Sequence, residues 1–266
     1  MNGDAFLGSD ARDTLPPMHT AKPLPATVVY PETDHMGEHE TQFQIAVRLV
    51  PLVVAWLALK GVTARVAGDQ FWYFVKGEPK HCRAPDVYVV EGVAQDAADR
   101  AVWKTWEGHH PAFALEVASD DWKKDYDDAP PAYDAMRCKE LVIFDPGATP
   151  RSRKRIRWQV YRRVRGRGFV RVFAGQGDRV ESRVLGCWVR LVDEGGNPRL
   201  RLATAPHGDE LVPTDAERAA AERAAREVER AAREVERAAR EAERARADAA
   251  EAEVARLRAL LDRTRR

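Results

Sequence analysis

The chain has 266 residues, 44% of them hydrophobic and 32% charged, with 43 basic against 42 acidic side chains and a formal net charge of +1. That length allows one large domain or two, and the near-zero balance excludes a whole-molecule field that would draw in nucleic acid or a membrane surface, so any basic footprint must be local. Cys82, Cys138 and Cys187 are odd in number and lack CxxC spacing, which argues against a disulfide frame or zinc ribbon and for a reducing compartment.

Residues 1–26 carry Pro, Asp and Thr with few large apolar side chains, and read as a flexible N-terminal arm without the pattern of a secretory signal. From Asp34 the spacing predicts a helix with Phe43, Val47 and Val50 on one face, Glu38 and Glu40 in its first turn, and a kink at Pro51. The longest apolar run, Ile45 to Leu59, is interrupted by Arg48 and Pro51 and is shorter than the roughly 18 residues a membrane span needs. A cytoplasmic protein with no membrane segment is expected.

Gly61 ends that helix, and Val62 to Val75 reads as a strand pair turning at Ala67-Gly68-Asp69. Ala84-Pro85-Asp86 then leads into the buried run Val87 to Val90. The polar stretch 91–110 holds Trp103 and Trp106, which on a short helix would share one face; His81, His109 and His110 lack the paired spacing of a zinc site. Next come a buried strand carrying Glu116, a short helical segment, and a second buried strand, Lys139 to Phe144, that ends on Asp145.

Between Arg151 and Arg167, nine of seventeen residues are basic. As a strand, this stretch turns Ile156, Trp158, Val160 and Val164 one way and Arg153, Arg155, Arg157, Arg163 and Arg165 the other. The arginine face is either a contact for DNA phosphates or the charged edge of a sheet. Further strands are expected at Phe169 to Phe173 and around Cys187 to Val192. After a linker at 206–213, a seven-residue repeat (Glu222 to Val228, Glu229 to Val235, Glu236 to Ala242) predicts a helical tail over 214–266. Its Ala and Val positions alternate by four and three like a coiled-coil seam, and Glu222/Arg226, Glu229/Arg233 and Glu236/Arg240 form i,i+4 pairs. A homo-oligomer through domain and tail is expected; a solitary charged helix is the alternative.

Two carboxylates at strand ends with lysines beyond can hold a hard divalent cation and act on a phosphodiester. Asp86 and Glu116 can supply the acids, and Lys123 or Lys124 the cation. In order and spacing these residues resemble the Uma-type restriction endonuclease family of the PD-(D/E)XK nuclease superfamily. The resemblance runs over about residues 28–205: His35-Met-Gly-Glu38, Ala84-Pro85-Asp86-Val87, Leu115-Glu116-Val117-Ala118-Ser119, Asp125 with Tyr133, and Glu140 to Pro146.

The resemblance implies a restriction-endonuclease-like α/β domain over 27–205, with a mixed central sheet flanked by helices. It implies a Mg2+ or Mn2+ ion on Asp86, Glu116 and the Val117 carbonyl, Glu38 reaching in from the first helix, and DNA as substrate. Where the family carries its lysine, this sequence has Ala118 and Ala129, and Lys124 is the nearest replacement. Pro130 and Pro131 imply that the second helix starts late or breaks. Three functions stay open: a metal-dependent endonuclease, a silent DNA-binding module of the same fold, and a coiled-coil interaction protein.

Overall fold

The computed structural model describes residues 40–264. Helix α1 (Glu40–Leu59) is followed by β1 (Ala64–Ala67), β2 (Trp72–Tyr73), β3 (Cys82–Arg83), β4 (Val87–Glu91), β5 (Trp103–Lys104), β6 (Phe113–Val117), helix α2 (Trp122–Ala135) and β7 (Glu140–Phe144). Then come β8 (Trp158–Val164), β9 (Gly168–Gly175), β10 (Arg179–Ser182), β11 (Cys187–Glu194), β12 (Asn197–Thr204), β13 (Glu210–Leu211) and helix α3 (Asp215–Thr264). The central sheet has the order β1-β4-β6-β7-β8-β9 and is mixed: β6 and β7 run parallel, joined through α2, while their neighbours are antiparallel.

Side chains alternate across this sheet and sort its two faces. Val87, Val89, Phe113, Leu115, Val117, Val142 and Phe144 pack toward α1, in one core with the sheet β10-β11-β12-β13. Tyr88, Val90, Ala114, Leu141 and Ile143 pack toward α2 and the small sheet β3-β2-β5. Strands β4, β6 and β7 are apolar almost throughout because a helix or a second sheet covers each face. Buried Glu140 ties the two larger sheets together, accepting from Arg162 Nε, Ser182 Oγ and the Arg183 amide.

Several expectations are corrected. Phe43 and Val47 lie on the exposed side of α1; the buried stripe is Ile45, Leu49, Leu52, Val53 and Trp56, and the helix continues past Pro51. Strands β1 and β2 do not pair with each other. Strand β1 pairs with β4, whereas β2 pairs with β3 and β5. Trp103 stands on a strand, fully buried and stacked on Trp72 with ring centroids 4.9 Å apart, while Trp106 is exposed on the following turn. Helix α2 runs through Pro130 and Pro131, with its own buried face of Ala129, Ala132 and Tyr133 holding it to the sheet. Strand β8 is internal to the sheet, which removes the charged-edge reading. Residues 206–213 are no free connector: β13 pairs with β12, and Val212 is buried.

Thr214 and Glu217 form a reciprocal capping box at the start of α3: the Thr214 amide donates to Glu217 Oε2 at 2.6 Å and the Glu217 amide donates to Thr214 Oγ1 at 3.1 Å. Buried Arg201 fastens this turn to β12, with Nη2 2.7 Å from Glu217 Oε2. Beyond it the side chains are exposed, Val228 and Val235 each by 71%. The expected pairs Arg226–Glu222, Arg233–Glu229 and Arg240–Glu236 are all made. Among the described residues no helix is long and apolar enough to cross a membrane.

Candidate active site

Strands β4 and β6 are antiparallel with Val87 opposite Leu115, so one further step of the register sets Asp86 opposite Glu116. The even-numbered residues of both strands face α2. Asp86 and Glu116 therefore emerge side by side at one end of the sheet, under that helix.

Each carboxyl has a fixed orientation. The Val117 amide donates to Asp86 Oδ2 at 2.7 Å, and the Tyr133 hydroxyl donates to Glu116 Oε1 at 2.6 Å. The two carboxyls are thus held from different elements, Asp86 by the β6 backbone and Glu116 by α2. Glu116 keeps a partial opening, but its carboxyl is enclosed by protein. That burial pushes its pKa up from 4.5 to about 7, against the lowering effect of the Tyr133 hydrogen bond and the Arg83 charge.

Close approach of the backbone positions the aspartate. Gly68 follows β1, and a Cβ built on it would sit 2.1 Å from the Asp86 carbonyl oxygen, while the Asp69 amide donates to the Pro85 carbonyl at 2.8 Å. Only glycine permits that contact. The start of α2 is fixed by Asp125, whose Oδ2 accepts from the Ser119 amide and the Ser119 hydroxyl, each at 2.7 Å.

The other expected residues do not gather here. Lys123 and Lys124 are exposed, with Lys123 lying 5.7 Å from the Trp122 ring. Asp125, Ala129 and Tyr133 mark the face of α2 toward the sheet, and Lys124 stands about 100° to 180° round the helix from them. Ala118 and Ala129 are packed in the core at 4% and 2% exposure. Glu38 lies outside the described residues. Asp145 is fully buried and engaged: Arg155 grips both its oxygens, Tyr126 donates to it at 2.6 Å and the Gly147 amide at 2.9 Å.

Of the five arginines on the face expected to meet DNA, Arg155 is thus committed to Asp145, Arg157 donates to the Ala148 and Gln176 carbonyls, and Arg163 pairs with Asp134. Arg153 is exposed. Sequence reasoning also missed what Tyr133 does. The four-residue steps from Asp125 through Ala129 to Tyr133, on a helix crossing the sheet, were the available signal.

Among the described residues, no group of three or more His, Cys, Asp or Glu side chains could hold a metal. A cation here would rest on two carboxylates and a backbone oxygen. That donor set suits a small hard cation that keeps several waters, and the β4–β6 register sets Asp86 and Glu116 opposite each other at one position.

Paired acids at the ends of adjacent strands of a mixed sheet, covered by the helix that links the two parallel strands, define a restriction-endonuclease-like α/β protein. The pattern of the Uma2 family, putative restriction endonuclease, matches residues 32–192, and the chain belongs to this family. The matched stretch contains both acids and α2. No curated protein matches the chain significantly.

Proposed function

We propose that this chain is a metal-dependent endonuclease that hydrolyses a DNA phosphodiester, using Asp86 and Glu116. The observation that carries the reading is the pair of carboxyls set opposite each other at the ends of β4 and β6, with the Glu116 carboxyl raised to about 7 by burial. Asp86, Glu116 and the Val117 carbonyl would hold Mg2+ or Mn2+, which supplies positive charge and lowers the pKa of bound water.

The protein's part is orientation. The Val117 amide keeps one carboxylate aimed at the other, and Tyr133 holds Glu116 from the helix side. Water then attacks phosphorus, one P–O bond forms as another breaks, and the products are a phosphate monoester and a hydroxyl. Arg153 and Lys154, exposed next to the anchored Arg155, would meet the DNA backbone.

The heptad stripe of α3, with Val228 and Val235 exposed, supports pairing with a second copy of the chain. Three free thiols suit a cytoplasmic site of action.

One observation favours a second reading: both family lysine positions are buried alanines, as a silent DNA-binding module would allow. Nicking of supercoiled plasmid in Mg2+ or Mn2+ separates the two. Cleavage by the wild type that is lost in Glu116→Ala supports the nuclease, and metal-independent DNA binding with no cleavage supports the module.

A further inference from the structure

Phosphodiester hydrolysis builds negative charge on the phosphorus oxygens, and a site that accelerates it needs a fixed cation facing that charge. The places where the family carries lysine are closed, since Ala118 and Ala129 are packed in the apolar layer beneath α2. Lys123 and Lys124 are exposed, and Lys123 lies over the Trp122 ring. We infer that Arg83 is the phosphate-facing cation of this site, placed at the rim of the Asp86–Glu116 pair from the strand side rather than the helix side. The inference rests on the nuclease reading above.

Four observations converge on it. Arg83 ends β3, three residues before Asp86 on the same segment, so the two are positioned together. Its backbone is pinned by pairing with Trp72, which is fully buried and stacked on Trp103. Its side chain crosses from the small sheet to α2, where Nη2 lies 3.7 Å from Asp128 Oδ2, one turn beyond the Asp125 that holds Ser119. Its charge acts on the Glu116 carboxyl, so the guanidinium stands within electrostatic reach of the pair.

Availability matters as much as place. The Arg83 side chain is 27% exposed and its partner Asp128 50% exposed, with a long contact between them. Such an ion pair contributes little, about 0 to 1 kcal/mol, and gives way to a better anion. A phosphate is that anion, because the planar guanidinium fork matches two of its oxygens. If Arg83 were only a surface partner of Asp128, removing either residue would have the same small effect on stability and none on turnover.

The test is plasmid nicking in Mn2+ and Mg2+ by the full chain, as wild type, Glu116→Ala, Arg83→Gln, Arg83→Lys, Arg83→Ala and Asp128→Asn, with the melting temperature of each. Arg83→Gln should lower kcat about 10²- to 10³-fold, the usual loss when a transition-state donor is removed, with KM and Tm nearly unchanged. Arg83→Lys should keep part of the rate, added guanidinium should partly rescue Arg83→Ala, and Asp128→Asn should cleave like the wild type. The inference is overturned if Arg83→Gln cleaves within about threefold of wild type, or if Arg83→Gln and Asp128→Asn lose activity equally. Failure of the nuclease reading looks different. In that case the wild type does not nick, or Glu116→Ala nicks as well as the wild type, and the role assigned to Arg83 falls with it.

Discussion

The amide of Val117 donates to Asp86 Oδ2 across 2.7 Å, so the strand that carries Glu116 also aims the aspartate opposite it. The two acids are thereby set relative to each other by the sheet. Asp86→Ala leaves this buried amide without its acceptor and should cost about 1–3 kcal/mol. Asp86→Asn keeps an acceptor and should unfold close to the wild type. Both should abolish metal-dependent nicking, and thermal unfolding beside the plasmid assay separates the structural loss from the chemical one.

Glu116 gives the site a pH dependence whose sign is fixed. Its pKa is raised from 4.5 to about 7 on folding, mainly by burial. The folded metal-free protein therefore binds more protons than the unfolded chain between those values, and the stability from this group, full below pH 4.5, falls as pH rises through 7. In Glu116→Gln that part of the decline should vanish. A divalent cation competes with the same proton, so Mn2+ affinity should fall by up to about tenfold per pH unit below 7, with about one proton released per ion. Titration calorimetry at pH 6, 7 and 8 in buffers of different ionisation heat reads both quantities.

Tyr133→Phe removes the hydroxyl that donates to Glu116 and keeps the ring in the core beneath α2. That hydrogen bond favours the ionised carboxyl, so its loss should move the midpoint of Mn2+ binding to higher pH. The stability cost should be modest, about 1 kcal/mol. An unchanged midpoint would show that Tyr133 packs without tuning the acid.

Neighbouring arginines should separate by function. Arg155→Ala leaves the fully buried Asp145 without its bidentate partner and should destabilise the fold by about 2–4 kcal/mol. Arg153→Ala should leave the melting temperature unchanged, weaken DNA binding, and reduce the salt dependence of log K by about one unit of slope. Denaturant unfolding and fluorescence anisotropy over a salt series distinguish them.

Deleting residues 222–266 retains Thr214, Glu217 and the Arg201 contact, so the sheets should stay folded. Sedimentation should then show a monomer where the full chain associates. Equal sedimentation behaviour per unit mass would mean that α3 stands alone.

The acids were legible because their strands are continuous apolar runs whose ends stand out in the sequence, and Asp86 follows the Pro85 that opens β4. The long C-terminal helix was legible from its repeat. What escaped depended on distant partners. The arginine-rich stretch looked like a phosphate-binding face because Asp145, ten residues away in sequence, gave no sign that it would bind Arg155. Trp103 looked like one side of a helical pair because its stacking partner, Trp72, lies across a small sheet built from separate segments. The inward face of α1 was misassigned because the helix is apolar on most sides, and only packing selects Ile45, Leu49 and Trp56 over Phe43 and Val47.

Gly68 carries no functional group, yet the acid at 86 depends on it. Its backbone lies where any β-carbon would strike the Asp86 carbonyl, so the missing side chain is itself a requirement of the site. A search for active relatives that scored only the acids, the tyrosine and a cation would pass chains in which an alanine at this point had pushed the aspartate out of line. The chemistry of the carboxyl pair thus extends to a position recognisable by shape alone.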